Sequence, residues 1–251
     1  MILKIDFPIS YLHEKRTIHI YLPDRYLYDC KLYPTLYMFD GHNLFNDEDA
    51  TYGRAWRLNK EVEANKKECI IVGIECSHTG NQRIVEYSPY RFYDPDLGEM
   101  DGWGHDTMEF IVRELKPYID THFPTKSDRN HTWIGGSSCG GLMALYAGFK
   151  YSFVFSKSLV ISPYIVPTFT QLLDDMNDTF IHPQSSFYIS WGAKEDKNPN
   201  FFIQETHCCT SIANALINKN VYVQMNVRMQ GCHCERSWQE EAKDYLPFLF
   251  K

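Results

Sequence analysis

The sequence lacks the features of nucleic-acid-binding and membrane proteins. Its 251 residues contain no long run of lysine and arginine, and acidic and basic residues are mixed along a chain of formal net charge −7. Nothing therefore suggests a partner with a phosphate backbone. No apolar stretch is long enough to cross a bilayer, and the N-terminus lacks the apolar segment and small-residue cleavage site of a signal peptide. We expect a cytoplasmic protein that acts without nucleic acid or a membrane.

The sequence also has no Cys-x-x-Cys pair among its eight cysteines. A zinc site could form from four of them, Cys208, Cys209, Cys232 and Cys234. Their spacing, however, differs from that of the common zinc fingers and ribbons. In a chain of this length without an export signal, reduced thiols are the default. We therefore favour buried free cysteines over that zinc site, and we predict neither a metal nor a cofactor.

The composition is that of a folded domain in which strands and helices alternate. Hydrophobic residues make up 44% of the chain and aromatic residues 15%, which suits one domain over residues 1–251. The alternation is typical of an α/β protein with a mostly parallel central sheet of about eight strands and helices on both faces. The first two strands are expected to form an antiparallel edge. The predicted strands are Leu3–Phe7, Thr17–Leu22, Thr35–Phe39, Cys69–Ile74, Thr132–Gly135, Ser158–Ile161, Phe187–Trp191 and Val221–Val227.

Two connections in this pattern are much longer than ordinary loops. They cover Glu75–Gly104, which is rich in aromatic residues, and Ser162–Ser186. Loops of this length are uncommon in compact domains and are often functional. We predict that they shape the rim of a pocket.

The stretch TWIGGSSCGGLMALYAGF, residues Thr132–Phe149, has two glycines on each side of a serine pair and joins an apolar strand to a helix. Residues 136–140 fit Gly-x-Ser-x-Gly with Ser138 at the centre. In that motif a nucleophilic serine lies on a sharp strand-to-helix turn, where glycines two positions away prevent a clash. A helix cap supplied by Ser137 or Ser138 is the alternative, but capping does not require so many glycines. The stretch therefore predicts Ser138 as a nucleophile.

A serine on such a turn requires a histidine base, which comes last in the order serine, acid, histidine. Only His182, His207 and His233 follow Ser138 in the chain. His233 lies between the last predicted strand and the last helix, where a loop can carry it over the carboxyl edge of the sheet. We therefore predict His233 as the base.

The acid is expected between the serine and the histidine, after the end of another strand. The segment FYISWGAKEDKN offers Glu195 and Asp196 just beyond such a strand. Either carboxylate could hold the imidazole in the required tautomer and stabilise its charged form. The residues themselves leave the choice between Glu195 and Asp196 open.

With these motifs, the chain resembles an esterase family of α/β-hydrolases that includes S-formylglutathione hydrolases, enterochelin esterases, feruloyl-type esterases and antigen 85 mycolyltransferases. The resemblance runs from about residue 16 to the C-terminus. It implies the α/β-hydrolase fold, and it places the acid at Glu195 and the base at His233. The segments that carry it are LYMFDGHNLF, the spacing of Arg83, Glu86 and Pro89, FIVRELKPYID, IGGSSCGGLMALYAG, SWGAKED and GCHCERSWQEE.

The resemblance also nominates two backbone amides for an oxyanion hole, those of His42 and Cys139. Gly41 is expected to let the backbone turn towards the substrate. The thiol of Cys139 faces away from the reaction, although its place at a helix N-terminus would tend to lower its pKa.

Together these residues predict a serine hydrolase that cleaves a small-molecule carboxylic ester through an acyl-enzyme, without metal or cofactor. One alternative is an acyltransferase, in which an alcohol intercepts the acyl-enzyme at the same triad. Another is a non-catalytic binding protein on the same scaffold. The acyl group, the alcohol and the formation of a homo-oligomer are left open.

Overall fold

The structure is a computed structural model that describes residues 1–251. Eight of its ten strands form one sheet, and the other two, β5 and β6, form a separate hairpin. The strands are β1 (Ile2–Ile9), β2 (Glu14–Tyr21), β3 (Thr35–Phe39), β4 (Ile70–Ile74), β5 (Phe92–Asp94), β6 (Gly98–Met100), β7 (Thr132–Ser138), β8 (Lys157–Pro163), β9 (Ser186–Gly192) and β10 (Tyr222–Arg228).

Nine α-helical segments accompany the strands. The third and fourth join through a π-helical turn at Ile111–Leu115. None of the helices combines the length and the apolar character needed to cross a membrane. The helices are α1 (Leu58–Ala64), α2 (Gln82–Glu86), α3 (Gly104–Phe110), α4 (Lys116–His122), α5 (Cys139–Lys150), α6 (Phe169–Asp178), α7 (Pro199–Asn218), α8 (Glu235–Glu240) and α9 (Ala242–Leu249).

The sheet has the order β1-β2-β4-β3-β7-β8-β9-β10. The β1–β2 and β2–β4 pairs are antiparallel, and all pairs from β4 to β10 are parallel. All eight predicted strands are present, and the antiparallel edge is confirmed. Because successive parallel strands need a crossover, the helices cover both faces of the sheet, and the protein has the α/β-hydrolase fold.

Two hydrophobic cores lie on opposite faces of this sheet. Tyr37 and Phe39 of β3 join a core of 41 buried residues, whereas Leu36 and Met38 join a second core of 20. This split follows from the period of two in a strand, which sends successive side chains to opposite faces. Helix α5 packs on the first core and α9 on the second. The nearly continuous apolar character of β3 therefore reflects burial on both sides.

The two long connections contain more regular structure than the sequence predicted. The first holds α2 and the β5–β6 hairpin, and the second holds α6. Helix α2 has only five residues, too few to show a helical period. In α6, the buried Leu172 and Met176 are four residues apart, the spacing of a single helical stripe. The first connection does border a cleft, through Ser77, His78, Gly80 and Arg83.

Candidate active site

Ser138 lies at the turn between β7 and α5 in a strained backbone conformation. Its φ is 57° and its ψ −125°, a region that residues other than glycine rarely adopt. The register between β7 and β8 also shifts between Ser137 and Ser138. Ser137 is buried, whereas Ser138 is partly exposed in the cleft. The turn thus presents Ser138, as the motif predicts for a nucleophile elbow.

The glycines around this serine are required by close backbone approach. A Cβ on Gly136 would lie 2.6 Å from the carbonyl carbon of Gly140. A Cβ on Gly140 would lie 2.9 Å from the Cβ of Phe39 in the adjoining strand. Side chains at these positions would therefore force the turn open, which is the steric reason the motif predicts.

His233 and Glu195 are hydrogen-bonded at the carboxyl edge of the sheet. Their Nδ1 and Oε2 atoms are 2.9 Å apart. The other carboxylate oxygen, Oε1, accepts hydrogen bonds from Ser162 Oγ at 2.7 Å and from the amide of Gly192 at 2.6 Å. Only 2% of the Glu195 side chain is exposed, against 36% for His233. A fixed, buried carboxylate thus holds the more accessible imidazole.

The structure distinguishes the two candidate acids clearly. Asp196 is exposed, and its Oδ1 accepts a hydrogen bond from the amide of Asn198 at 2.6 Å. It forms neither a hydrogen bond nor an ion pair with His233, so geometry favours Glu195. The other two histidines lie elsewhere: the ring of His182 packs on Phe153, and that of His207 packs on Phe169.

Trp238 and Ser162 contact the His233–Glu195 pair. The indole Nε1 of Trp238 donates to Ser162 Oγ at 2.9 Å, and its ring packs edge-on to His233 with centroids 5.2 Å apart. The resemblance includes Trp238 in the segment GCHCERSWQEE without a predicted role, and Ser162 was predicted only as the first residue of a long connection. The available signal was the position of Ser162 near the end of a buried strand, where functional groups gather in this fold.

A second buried carboxyl, that of Glu205 in α7, was also not predicted. The residue is 1% exposed, and its Oε2 has no hydrogen-bond partner. Burial and then the neighbouring Glu195 carboxylate raise the pKa of Glu205, which favours the protonated form of this carboxyl. The sequence pattern that could have indicated its burial is the position of this glutamate four residues before Cys209, on the buried side of an amphipathic helix.

Of the predicted oxyanion donors, Cys139 directly follows Ser138, and His42 lines the same cleft as Ser138. Cys139 is the first residue of α5, so its amide has no acceptor within the helix. The amide of His42, just after β3, makes no hydrogen bond within the protein. Both amides therefore lack an acceptor within the backbone and are free to donate to a ligand.

Gly41 was expected to let the backbone turn towards the substrate, and this reason for a glycine is wrong. The left-handed residue in this loop is Asp40, with a φ of 57°. Gly41 is needed instead because it packs on β4, where a Cβ would lie 2.4 Å from the carbonyl carbon of Gly73. The expected lowering of the Cys139 thiol pKa is also wrong, because burial raises it.

Arg83 fixes the same loop through Asp40. Its Nε and one terminal nitrogen donate to the two carboxylate oxygens of Asp40 at 2.7 and 2.8 Å. Burial favours the neutral acid, but the guanidinium outweighs it and lowers the pKa of Asp40. Burial also lowers the pKa of His42, which keeps that imidazole neutral. The loop that carries the His42 amide is therefore anchored by a bidentate ion pair.

The loop with Asp40 and His42 borders one cleft of about 370 Å³. Ser138 and His233 both line it, without a direct hydrogen bond between them. Such bonds are often long or absent without substrate and tighten when it binds. The remaining lining is mostly polar, and includes Asp40, Arg83 and Glu235.

Proteins of similar sequence include two from Bacillus subtilis. YjcH is 26% identical over 191 residues, which cover 73% of this chain and 69% of YjcH. YbbA is 26% identical over 149 residues, which cover 57% of this chain and 54% of YbbA. The match thus spans about half the length of YbbA.

Solved structures share the fold over nearly the whole chain. An IroE-like serine hydrolase from Shewanella oneidensis superposes with a TM-score of 0.74 at 18% identity, covering 98% of this chain and 80% of its own. The S-formylglutathione hydrolase FrmB from Staphylococcus aureus gives 0.70 at 17% identity, covering 100% and 96%. The family model described as "Putative esterase" matches residues 9–245. Because that match includes most of the chain, the protein belongs to this esterase family.

Proposed function

We propose that the protein hydrolyses carboxylic esters through an acyl-enzyme formed on Ser138. The observation that carries the proposal is the His233–Glu195 hydrogen bond at the cleft that the strained Ser138 borders. A base oriented by a buried acid, next to a serine on a nucleophile elbow, is the arrangement that activates a hydroxyl.

In the first half of the reaction, Ser138 Oγ attacks the ester carbonyl carbon and passes its proton to His233 Nε2. Glu195 accepts a hydrogen bond from the Nδ1–H group of His233 and stabilises the charged imidazole. The tetrahedral oxyanion accepts hydrogen bonds from the amides of His42 and Cys139. When the intermediate collapses, the alcohol leaves with the proton from His233, and the acyl group stays on Ser138.

In the second half, water replaces the alcohol. His233 removes a proton from the water, whose oxygen attacks the acyl-enzyme, and the same amides bind the second oxyanion. Collapse releases the acid and returns the proton to Ser138 Oγ. The mostly polar lining of a cleft of about 370 Å³ favours short or polar ester substrates over long acyl chains.

Ser138→Ala and Ser137→Ala form a matched pair that tests this function. Ser138→Ala is expected to abolish both p-nitrophenyl ester hydrolysis and labelling by a fluorophosphonate, since both need the nucleophile. Ser137→Ala should retain substantial activity. The proposal fails if Ser137→Ala is the inactive variant. A wild-type protein that resists labelling would favour a binding protein, and preferential transfer to added alcohols would favour an acyltransferase.

A further inference from the structure

Three side chains outside the proposed triad converge as metal ligands do. His42, Cys76 and His78 each offer one ligand atom, and these atoms all lie within 4.8 Å of one another. His42 follows β3, and Cys76 and His78 follow β4, which pairs with β3 in parallel. Neighbouring parallel strands therefore bring the three residues to one edge of the sheet. The cysteines weighed from the sequence as a zinc site form no such group.

His42 contributes a buried ring nitrogen without a partner. The residue is 4% exposed, and its Nδ1 has no hydrogen-bond partner in the protein. Its Nε2 lies 3.0 Å from Thr51 Oγ1. That contact occupies one ring nitrogen and leaves Nδ1 as the atom that needs a ligand.

His78 has the supporting carboxylate that is common behind a metal-binding histidine. Its Nε2 lies 3.5 Å from Glu75 Oε2, and the other oxygen of Glu75 lies 2.6 Å from His19 Nε2. A carboxylate behind one ring nitrogen orients the imidazole and leaves the other nitrogen for the metal. The rings of His78 and His42 are edge-to-face with centroids 4.7 Å apart. Because 59% of the His78 side chain is exposed, it is free to close on an ion.

The ligand set selects the class of ion. Two imidazoles and one thiolate suit zinc and similar borderline-soft cations, whereas calcium and magnesium prefer oxygen. Three protein ligands leave a fourth position for water, as in accessible zinc sites. Binding would break the S–H bond of Cys76, form an S–Zn bond and release the proton to solvent.

We propose that His42, Cys76 and His78 form a site for a zinc-type cation, and that the bound ion excludes ester from the cleft. All three residues line the cleft that Ser138 and His233 border. The ion would lie on the side of the cleft where the His42 amide is available to the oxyanion. The exclusion of ester rests on the proposed function, whereas the binding of the ion does not.

Cobalt(II) tests the binding directly, because a thiolate ligand gives it a near-ultraviolet charge-transfer band. Wild type and Cys30→Ser, which changes an exposed cysteine elsewhere, are expected to show the band, and zinc should remove it. Cys76→Ser should lose the band, and His78→Gln should weaken cobalt affinity by at least about tenfold. His78→Gln alters an exposed side chain, so it tests the site even if Cys76→Ser misfolds. Absence of the band in wild type, or its survival in folded Cys76→Ser, would overturn the site.

Ester kinetics test the second part separately. Zinc should raise KM in wild type with little change in kcat, and His78→Gln should need at least about tenfold more zinc for the same effect. If cobalt binds at Cys76 but zinc leaves KM unchanged, the exclusion of ester is wrong while the site stands. If Ser138→Ala stays fully active, the proposed function fails whatever the cobalt spectra show.

Discussion

Ser162 Oγ donates a hydrogen bond to Glu195 Oε1 across 2.7 Å, from a residue held at a φ of 44°. The same hydroxyl accepts the indole N–H of Trp238 at 2.9 Å. Because Glu195 in turn holds His233, the orientation of the imidazole depends on a chain of bonds that begins in α8. In the proposed reaction Ser162 touches no reacting atom, so its role there is to position Glu195.

Ser162→Ala is expected to lower kcat by about 10- to 100-fold. This range corresponds to the loss of one hydrogen bond to a charged group, which is worth about 1.5–3 kcal/mol. KM should change little, because the cleft does not include Ser162. Trp238→Phe, which keeps a ring beside His233 but removes the N–H donor, should cost less. Steady-state kinetics with a p-nitrophenyl ester separate kcat from KM. A rise in KM at constant kcat would contradict the positioning role.

Glu195→Gln and Asp196→Asn form the second test. Glu195→Gln is expected to lower kcat by about 10⁴-fold, because an amide cannot hold the imidazole in the required tautomer or stabilise its charge. Asp196→Asn should reduce activity only slightly, since Asp196 is exposed and bonds only the Asn198 amide. Circular dichroism should first verify that both variants are folded to the same extent as wild type. Reversed severities would assign the acid to Asp196.

Most of the sheet could be predicted because its strands are strongly apolar and separated by clear helical patterns. β3 and β4 are fully buried over their whole lengths, and such runs stand out in any sequence. What could not be predicted were short elements that depend on tertiary contacts. The β5–β6 hairpin has three residues per strand, and α2 has only five residues. Elements of this length carry too little periodic signal, and the surrounding chain stabilises them.

For the site, the sequence indicated the groups on which the proposed reaction depends but not the residues that support those groups. Ser138 is marked by a motif and His233 by its place after the last strand, and both patterns are local. The choice of Glu195 over Asp196 required the geometry, because adjacent residues share every sequence signal. Cys76 and His78 lie together with His42 only because two strands distant in sequence pair side by side.

The carboxyl of Glu205 also became visible only in three dimensions, where it lies against Glu195. Its pKa is raised by burial and by the negative charge of Glu195, so the folded protein holds a proton that the unfolded chain releases near its ordinary pKa of about 4.3. Between that value and the raised pKa, the folded state binds more protons than the unfolded state. The contribution of this group to the free energy of unfolding therefore falls as pH rises above the ordinary pKa, and it is lost once pH has passed the raised pKa.

Glu205→Gln is expected to remove this loss, because glutamine cannot ionise. The melting temperature of Glu205→Gln, relative to wild type, should therefore increase steadily between about pH 5 and about pH 9. Glu48→Gln, at an exposed glutamate on the surface, provides a control of equal charge change and should show no such trend. Thermal melts by circular dichroism across the range measure both differences. A Glu205→Gln difference that stays constant with pH would mean that Glu205 is not protonated in the folded protein, and that the two carboxylates coexist as anions in the core.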